Sequence, residues 1–290
     1  MNEKTVVFIG SGDLALRAGA ALAGRGFTVI GARRRSEPLP PPFLTITSDY
    51  TQPGGLAALE ALRPDYVVTT FKPTSRDAAG YERGYLYASQ NLLQGLGDHQ
   101  PSRIVFVSST RVYAEREGGW VDESSPLAED DAAAAMMIAA EQTLHDSDIE
   151  CTALRCAGIY GDPQGRLLSR IATGQLCPEQ PVSYSNRIHR EDVSAFIDFA
   201  IVSDCEGMEL HGAYTLCDHS PVPQHEAECF IADALGVSKE QRRFDATRMV
   251  SGHKRCENQR LRNSGFVLAY PDYRAGYSAV IGQRRLLNGA

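Results

Sequence analysis

The stretch Thr5-Val6-Val7-Phe8-Ile9-Gly10-Ser11-Gly12-Asp13-Leu14-Ala15 decides the fold. Its first five residues form a β-branched and aromatic run, which predicts a buried strand. The next six fit G-x-G-x-x-G/A and lead into an Ala- and Leu-rich stretch, 14–25, that predicts a helix. In such a strand–turn–helix unit the first glycine allows the tight turn. The second lets a pyrophosphate approach the backbone, and the small third residue lets helix and strand pack closely. The helix N-terminus then offers N–H groups and a positive dipole end to an anion. Gly10, Ser11, Gly12, Asp13 and Leu14 are thereby the expected dinucleotide cradle.

The same alternation continues outward from this unit. Strands are expected at 27–30, 64–69, 103–107, 151–155 and 213–216. Helices are expected at 55–62, 81–93, 132–144, 167–172, 191–201, 224–235 and 257–263, with Asp192 placed to help begin its own. The Pro-rich 38–42 reads as a surface loop. Apolar strands separated by helices imply a parallel sheet covered on both faces. The predicted fold is therefore α/β: a doubly wound parallel sheet of Rossmann type with a smaller C-terminal substrate lobe. The dinucleotide domain is expected over 1–160 and the lobe over most of 161–290, with segments near 188–218 returning to the main sheet.

Composition narrows the function classes. Of 290 residues, 43% are hydrophobic and 22% charged, enough apolar material for a core. The net charge of −7 argues against sequence-independent nucleic-acid binding, which needs a basic surface. No apolar run approaches the ~18 residues of a membrane span. The seven cysteines are scattered and never form C-x-x-C, so buried thiols in a reducing cytoplasm are expected. His211, His219 and His225 lack the spacing of a metal site, and no metal is expected.

The end of the second strand speaks to the cofactor. An NAD site places Asp or Glu about 20 residues after the glycines, on the ribose 2′-OH. Here that place reads Gly31-Ala32-Arg33-Arg34-Arg35. A guanidinium grips a 2′-phosphate through a bidentate fork, whereas a carboxylate repels it. NADP(H) is expected, with Arg33 and Arg34 as contacts. Lys72 follows the strand that ends at 67–70, at the carboxyl edge, where it could reach a cofactor phosphate or a substrate anion; a lysine on such a loop is usually solvated.

Four landmarks resemble the atypical and extended short-chain dehydrogenase/reductases, the NAD(P)-dependent epimerase/dehydratase family. They are the glycine motif, Val105-Phe106-Val107-Ser108-Ser109-Thr110-Arg111-Val112-Tyr113, Leu154-Arg155-Cys156-Ala157-Gly158-Ile159-Tyr160-Gly161, and Arg187-Ile188-His189-Arg190-Glu191-Asp192-Val193. The resemblance spans essentially the whole chain. It implies that Asp49 lies near the adenine and that Ser108 belongs to the cofactor site. Cys156, Ala157 and Gly158 would line the nicotinamide side. Ser109 would take the position of the catalytic Ser/Thr. Thr110, Arg111, Tyr160 and His189 would face substrate.

The family's Tyr-x-x-x-Lys acid/base pair is missing. Aligned on Ala140-Glu141, its positions are Ala133 and Met137, and none of the four lysines lies on this helix. Three readings stay open. The chain is a reductase of a small soluble carbonyl or imine, with hydride transfer as the cofactor's chemistry. Or it binds NADP(H) without turnover, as a redox sensor. Or it catalyses a non-redox isomerisation. Ser109 has the bland alternative of bonding the backbone at a strand end, and Tyr113 that of packing beside the sheet. His189 has that of joining sheet to lobe. Met136 and Met137 fill the space of the absent pair. The resemblance also implies a homodimer through the helices at 81–93 and 132–144, with Tyr81, Tyr85 and Leu92 on the contact helix.

Overall fold

The computed structural model describes residues 4–208, 210–249 and 252–289. Seven strands make the central sheet: β1 (Thr5–Ile9), β2 (Thr28–Arg33), β3 (Leu44–Thr47), β4 (Tyr66–Thr69), β5 (Arg103–Ser109), β6 (Cys151–Cys156) and β7 (Gly212–Leu216). They lie in the order 7-6-5-4-1-2-3. β1 pairs in parallel with β2 and β4, β2 with β3, and β4 with β5. The order reverses between β1 and β4, and the carboxyl ends of strands at such a point form a ligand crevice. This is the doubly wound sheet expected.

β2 runs three residues beyond its expected end because Gly31 and Ala32 pair on both edges. They face Phe8 and Ile9 of β1, and Thr45 and Ile46 of β3. A side chain at position 31 would meet Leu39 Cδ1 at 2.1 Å. Arg33 thus becomes the last residue of the strand. β3 escaped the sequence reading because it is short and lies at the sheet edge, with Leu44 exposed.

The chain divides into two compact units. The first comprises Met1–Ala114, Leu127–Arg155 and Val193–Tyr214. Its core joins Val7, Ile9, Val67, Ile104 and Phe106 of the strands to Tyr85, Leu92, Met137 and Ala140 of two helices. The Tyr87–Leu96 helix is preceded by a π-helical stretch, Glu82–Leu86. Tyr85 and Leu92 therefore face the chain's own interior and offer nothing to a second copy; Tyr81 stacks on Tyr85 with centroids 5.7 Å apart.

The second unit comprises Glu115–Pro126, Cys156–Asp192 and Thr215–Ala290. Its core is the packing of Leu168, Ile171, Ala227, Ile231, Tyr277, Val280 and Ile281. The Gln224–Leu235 helix has its expected bounds. The 17-residue Tyr273–Gly289 helix was not expected. Its buried residues, Tyr273, Gly276, Tyr277, Val280 and Ile281, carry the helical spacing that could have revealed it. Glu117–Val121 pairs in parallel with His253–Cys256, a contact too distant along the chain for local patterns to show.

Arg103, 1% exposed at the start of β5, anchors the first unit. Its Nε and Nη2 donate to Asp204 Oδ1 at 2.9 and 2.7 Å. Its Nη1 donates to Thr152 Oγ1 and to the Leu210 carbonyl at 2.9 and 2.8 Å. Truncating one partner of a buried ion pair leaves the other charge uncompensated. Arg103→Ala is expected to cost about 3–5 kcal/mol in urea unfolding; a loss under about 1 kcal/mol would contradict this role.

Candidate functional site

In the first unit the glycine loop is held from three sides. Gly10 has φ +88°, and a Cβ there would stand 2.8 Å from the Thr70 carbonyl. Gly10 N donates to the Ala32 carbonyl at 3.2 Å, and Ser11 Oγ donates to the same oxygen at 3.1 Å. Thr70 Oγ1 donates to the Gly10 carbonyl. Gly12 begins the Asp13–Gly24 helix with no side-chain cap. The first-turn N–H groups, that of Leu14 among them, receive no cap from a Gly12 side chain and are suited to an external anion. The Asp13 carboxylate is turned along the helix, where Arg17 Nε donates to it at 3.1 Å.

The basic residues surround this loop. The Lys72 ammonium lies 3.8 Å from where a Gly12 Cβ would stand. Arg33 makes one long bond, 3.4 Å, to the Glu37 carbonyl. Arg34 is exposed and has no ion pair among the described residues. Asp49 accepts from Thr51 N and Oγ1 at 3.0 and 2.7 Å, which shapes the turn after β3. Thr70 and Tyr50, whose hydroxyl accepts from Lys72 N at 3.3 Å, were not singled out in sequence. Their position at strand ends was the available signal.

Ser108 and Ser109 differ sharply. Ser108 Oγ donates to Glu141 inside the unit, and Arg155 holds the same carboxylate through Nε at 3.1 Å and Nη2 at 2.8 Å. The Arg155 guanidinium lies 5.2 Å from the centroid of Tyr113, which is fully buried. Ser108 thus offers an outside ligand its backbone, not its hydroxyl, and Tyr113 packs. Ser109 ends β5, and its Oγ accepts from Arg111 N at 3.2 Å. Its hydroxyl proton remains available to donate. Arg111 is tied to Asp131 by two 3.1 Å bonds and lies over Tyr81. Asp131 also caps the Ala132–His145 helix, accepting from Ala133 N and Ala134 N at 3.0 Å. Thr110 opens the short turn between them. Met137 is buried in the core, and Ala133 is 7% exposed.

In the second unit, Gly158–Tyr160 pairs in parallel with Arg187–His189. Cys156 is buried, and burial pushes its thiol up to about 12, so it is an inert wall. Gly158 is exposed, and its N–H donates to the Asn186 carbonyl at 3.2 Å. His189 is 2% exposed, 3.9 Å from the Tyr270 ring and 5.1 Å from that of Tyr160. Its Nδ1 accepts from Glu191 N at 3.2 Å. His189, rather than Asp192, therefore begins the Arg190–Cys205 helix. Asp192 instead accepts from Ala269 N and Tyr270 N at 2.7 and 3.2 Å. Tyr160 stacks on Tyr277 at 4.4 Å, and its hydroxyl is buried. Desolvation raises its pKa, so it is a poor proton source. Tyr160 lines a cavity of about 440 Å³ within this unit, together with Arg187, Gln224, Glu228 and Tyr277.

A glycine cradle at the switch point of a doubly wound sheet defines a nucleotide-binding protein of Rossmann type. Residues 10–203 match the NAD(P)H-binding family model, and the chain belongs to that family. A solved structure from Methylobacillus flagellatus, provisionally assigned as an NAD-dependent epimerase/dehydratase, is 33% identical. It aligns over 98% of this chain and all of its own, with TM-score 0.81. Protein YeeZ of Escherichia coli is 27% identical over 93% of this chain and 97% of its own length. The Thermus thermophilus UDP-glucose 4-epimerase, solved with NAD, shares the fold at TM-score 0.80 and 17% identity, over 97% and 99% of the two chains. The family-level resemblance read in the sequence is thus shown. Among the described residues no helix is long and apolar enough to cross a membrane.

Asp218 gives the second unit a pH signature. It is 2% exposed, and burial pushes its carboxyl up to about 7, against the opposing effects of the Ser220 N–H and the Arg187 charge. The folded chain then keeps a proton that the unfolded chain releases, so this contribution is full below about pH 4 and lost as pH rises through about 7. Asp218→Asn is expected to gain on the wild type by an amount on the order of 4 kcal/mol between about pH 4 and about pH 8, measured by urea unfolding. A difference that stays flat with pH would contradict the assignment.

Proposed function

We propose that the chain binds NADP(H) in preference to NAD(H) and is an oxidoreductase of the atypical short-chain type, acting on a small soluble carbonyl or imine. The observation that carries this reading is the end of β2. Arg33 and Arg34 stand there without carboxylate partners among the described residues, beside a glycine loop that a Cβ at Gly10 would obstruct. The Gly10–Leu14 loop holds the pyrophosphate through the first-turn N–H groups of its helix, Leu14's among them, while the Gly10 N–H stays on Ala32; Lys72 adds a positive charge. Arg33 and Arg34 grip the 2′-phosphate, and Asp49 lies on the adenine side. Ser108 contributes its backbone to the cofactor site. The bound cofactor supplies the hydride.

The chain's own task is to place the substrate carbon and steady its oxygen or nitrogen. Ser109 is the donor for that task, because its oxygen already accepts from Arg111 N and its proton is free to point outward. Arg111 is a positioning residue, holding the Ser109 turn to Asp131. Thr110 flanks the turn, and Tyr160 and His189 shape the substrate side. An iminium substrate suits this site because it brings its own proton. The burial of Met137 where a lysine would stand favours one rival, an NADP(H)-binding sensor without turnover. Ser109→Ala separates the two. It lowers turnover if the site is catalytic, and leaves dinucleotide binding intact in either case. The enzyme is proposed to work in the cytoplasm, as a homodimer through outer residues of the helices at 81–93 and 132–144.

Thermal-shift titration with NADPH, NADP⁺, NADH and NAD⁺ tests the cofactor. Ligand at 100 times its Kd stabilises by about 2.7 kcal/mol. The phosphorylated pair is expected to raise Tm, and Arg33→Ala/Arg34→Ala to abolish that preference. Equal shifts with NADH and NADPH would overturn the NADP(H) assignment, and no shift with any of the four would overturn the oxidoreductase reading.

A further inference from the structure

The cavity of the second unit contains a charge that the dinucleotide reading leaves unused. Arg187 lines it and is 6% exposed. Its hydrogen bonds include the Ser185 carbonyl, at 3.1 Å, and Ser185 Oγ; it also bonds the Tyr277 hydroxyl and lies 5.7 Å from the Tyr273 ring centroid. Among the described residues no carboxylate lies within ion-pair distance of it. These neighbours satisfy donors but bring no negative charge to the guanidinium. Burying a cation in this condition is costly unless something supplies the missing charge.

The other charged groups of the cavity are accounted for differently. Glu228 is 1% exposed, and its carboxylate is neutralised by Arg170 through Nη1 and Nη2 at 3.2 and 2.5 Å. Cys177 N and Gln224 Nε2 donate to it as well, at 2.8 and 2.7 Å. Arg166 and Asp162, also on the wall, are exposed side chains of opposite charge, and Asp162 Oδ1 accepts from Gln164 N at 2.9 Å. Asp218 is the carboxyl that acts on Arg187 from outside ion-pair distance, and its tendency to stay protonated near neutrality keeps it from cancelling that charge. Arg187 is therefore the buried charge of this wall that no counter-charge among the described residues balances. Much of the remaining wall is hydrocarbon, from Ile159, Leu168, Ala227, Ile231 and Val280. Its volume of about 440 Å³ is small for a ligand pocket and suits a small metabolite.

We propose that this cavity binds a small organic anion, its carboxylate or phosphate head on Arg187 and its hydrocarbon body against Ile159, Leu168, Ala227, Ile231 and Val280. The inference rests on the reading of the chain as an enzyme of small metabolites and names the class of substrate. The cavity selects the molecule that brings both a negative head and an apolar body, since neither a neutral polar molecule nor a bare anion satisfies both walls.

Isothermal titration with hexanoate, hexyl phosphate and the neutral hexanamide tests it, with and without NADPH. At least one anion is expected to bind about tenfold or more tighter than hexanamide, as a charge-assisted bond worth about 1.4 kcal/mol requires. The stronger of the two identifies the head group. Arg187→Gln is expected to erase the preference. Ile159→Asp, at a residue 43% exposed on the cavity wall, is expected to weaken the anion and spare the amide without disturbing the core. Three results would overturn the proposal: equal binding of amide and anions, no binding of either anion at millimolar concentration, or an anion preference that survives Arg187→Gln. Anion preference without any dinucleotide shift would sink the NADP(H) reading alone. A dinucleotide shift without anion preference would sink this one alone.

Discussion

The left-handed turn at Gly10 is the constraint on which the rest depends. With φ at +88° and the Thr70 carbonyl 2.8 Å from any Cβ, only glycine fits without strain. That turn ends β1, starts the first helix and brings the ends of β2 and β4 against the loop. Ser11 ties it to Ala32, and Thr70 ties it to β4. Gly31 repeats the demand one strand over, where Leu39 and Ser11 leave no room for a side chain. The closeness of the backbones puts Arg33 and Lys72 around a helix N-terminus at which Gly12 offers no side-chain cap.

The pairing of arginines sorts scaffold from site. Arg103, Arg155 and Arg170 are each paired with a carboxylate of their own unit, and Arg103 and Arg170 make further hydrogen bonds to residues distant in sequence or to backbone. Arg111 is paired too, and so positions a turn rather than waits for substrate. Arg33 and Arg34 in one unit and Arg187 in the other lack such partners among the described residues. Cations kept without counter-charges cost stability, and they occur here beside a glycine cradle and in a cavity wall. These are the two places for which we propose ligands, a dinucleotide phosphate in one unit and a small anion with an apolar body in the other.

The cradle was legible in the sequence because its signals are local: an apolar strand, glycines at fixed spacing, a helix, and arginines at a set distance. The same locality exposed the strands of the main sheet and the Gln224–Leu235 helix. What stayed hidden depends on contacts far apart in sequence. Ser108 and Ser109 look alike in the chain, yet Glu141 claims one hydroxyl while the other stays at the surface. His189 and Asp192 sit three residues apart, and the sequence suggested Asp192 as the one to help start the helix. The structure gives that role to His189 and spends Asp192 on Ala269 and Tyr270. The isolation of Arg187 depends on where every carboxylate of its unit ends up, which no motif records.

A crystal structure grown with NADP⁺ tests the central claim most directly. The account predicts the pyrophosphate over the Gly10–Leu14 loop, on the first-turn N–H groups of its helix, with the 2′-phosphate within hydrogen-bond reach of Arg33 or Arg34. A dinucleotide bound with its 2′-phosphate away from both arginines, or a crystal that takes up none at saturating concentration, would contradict it.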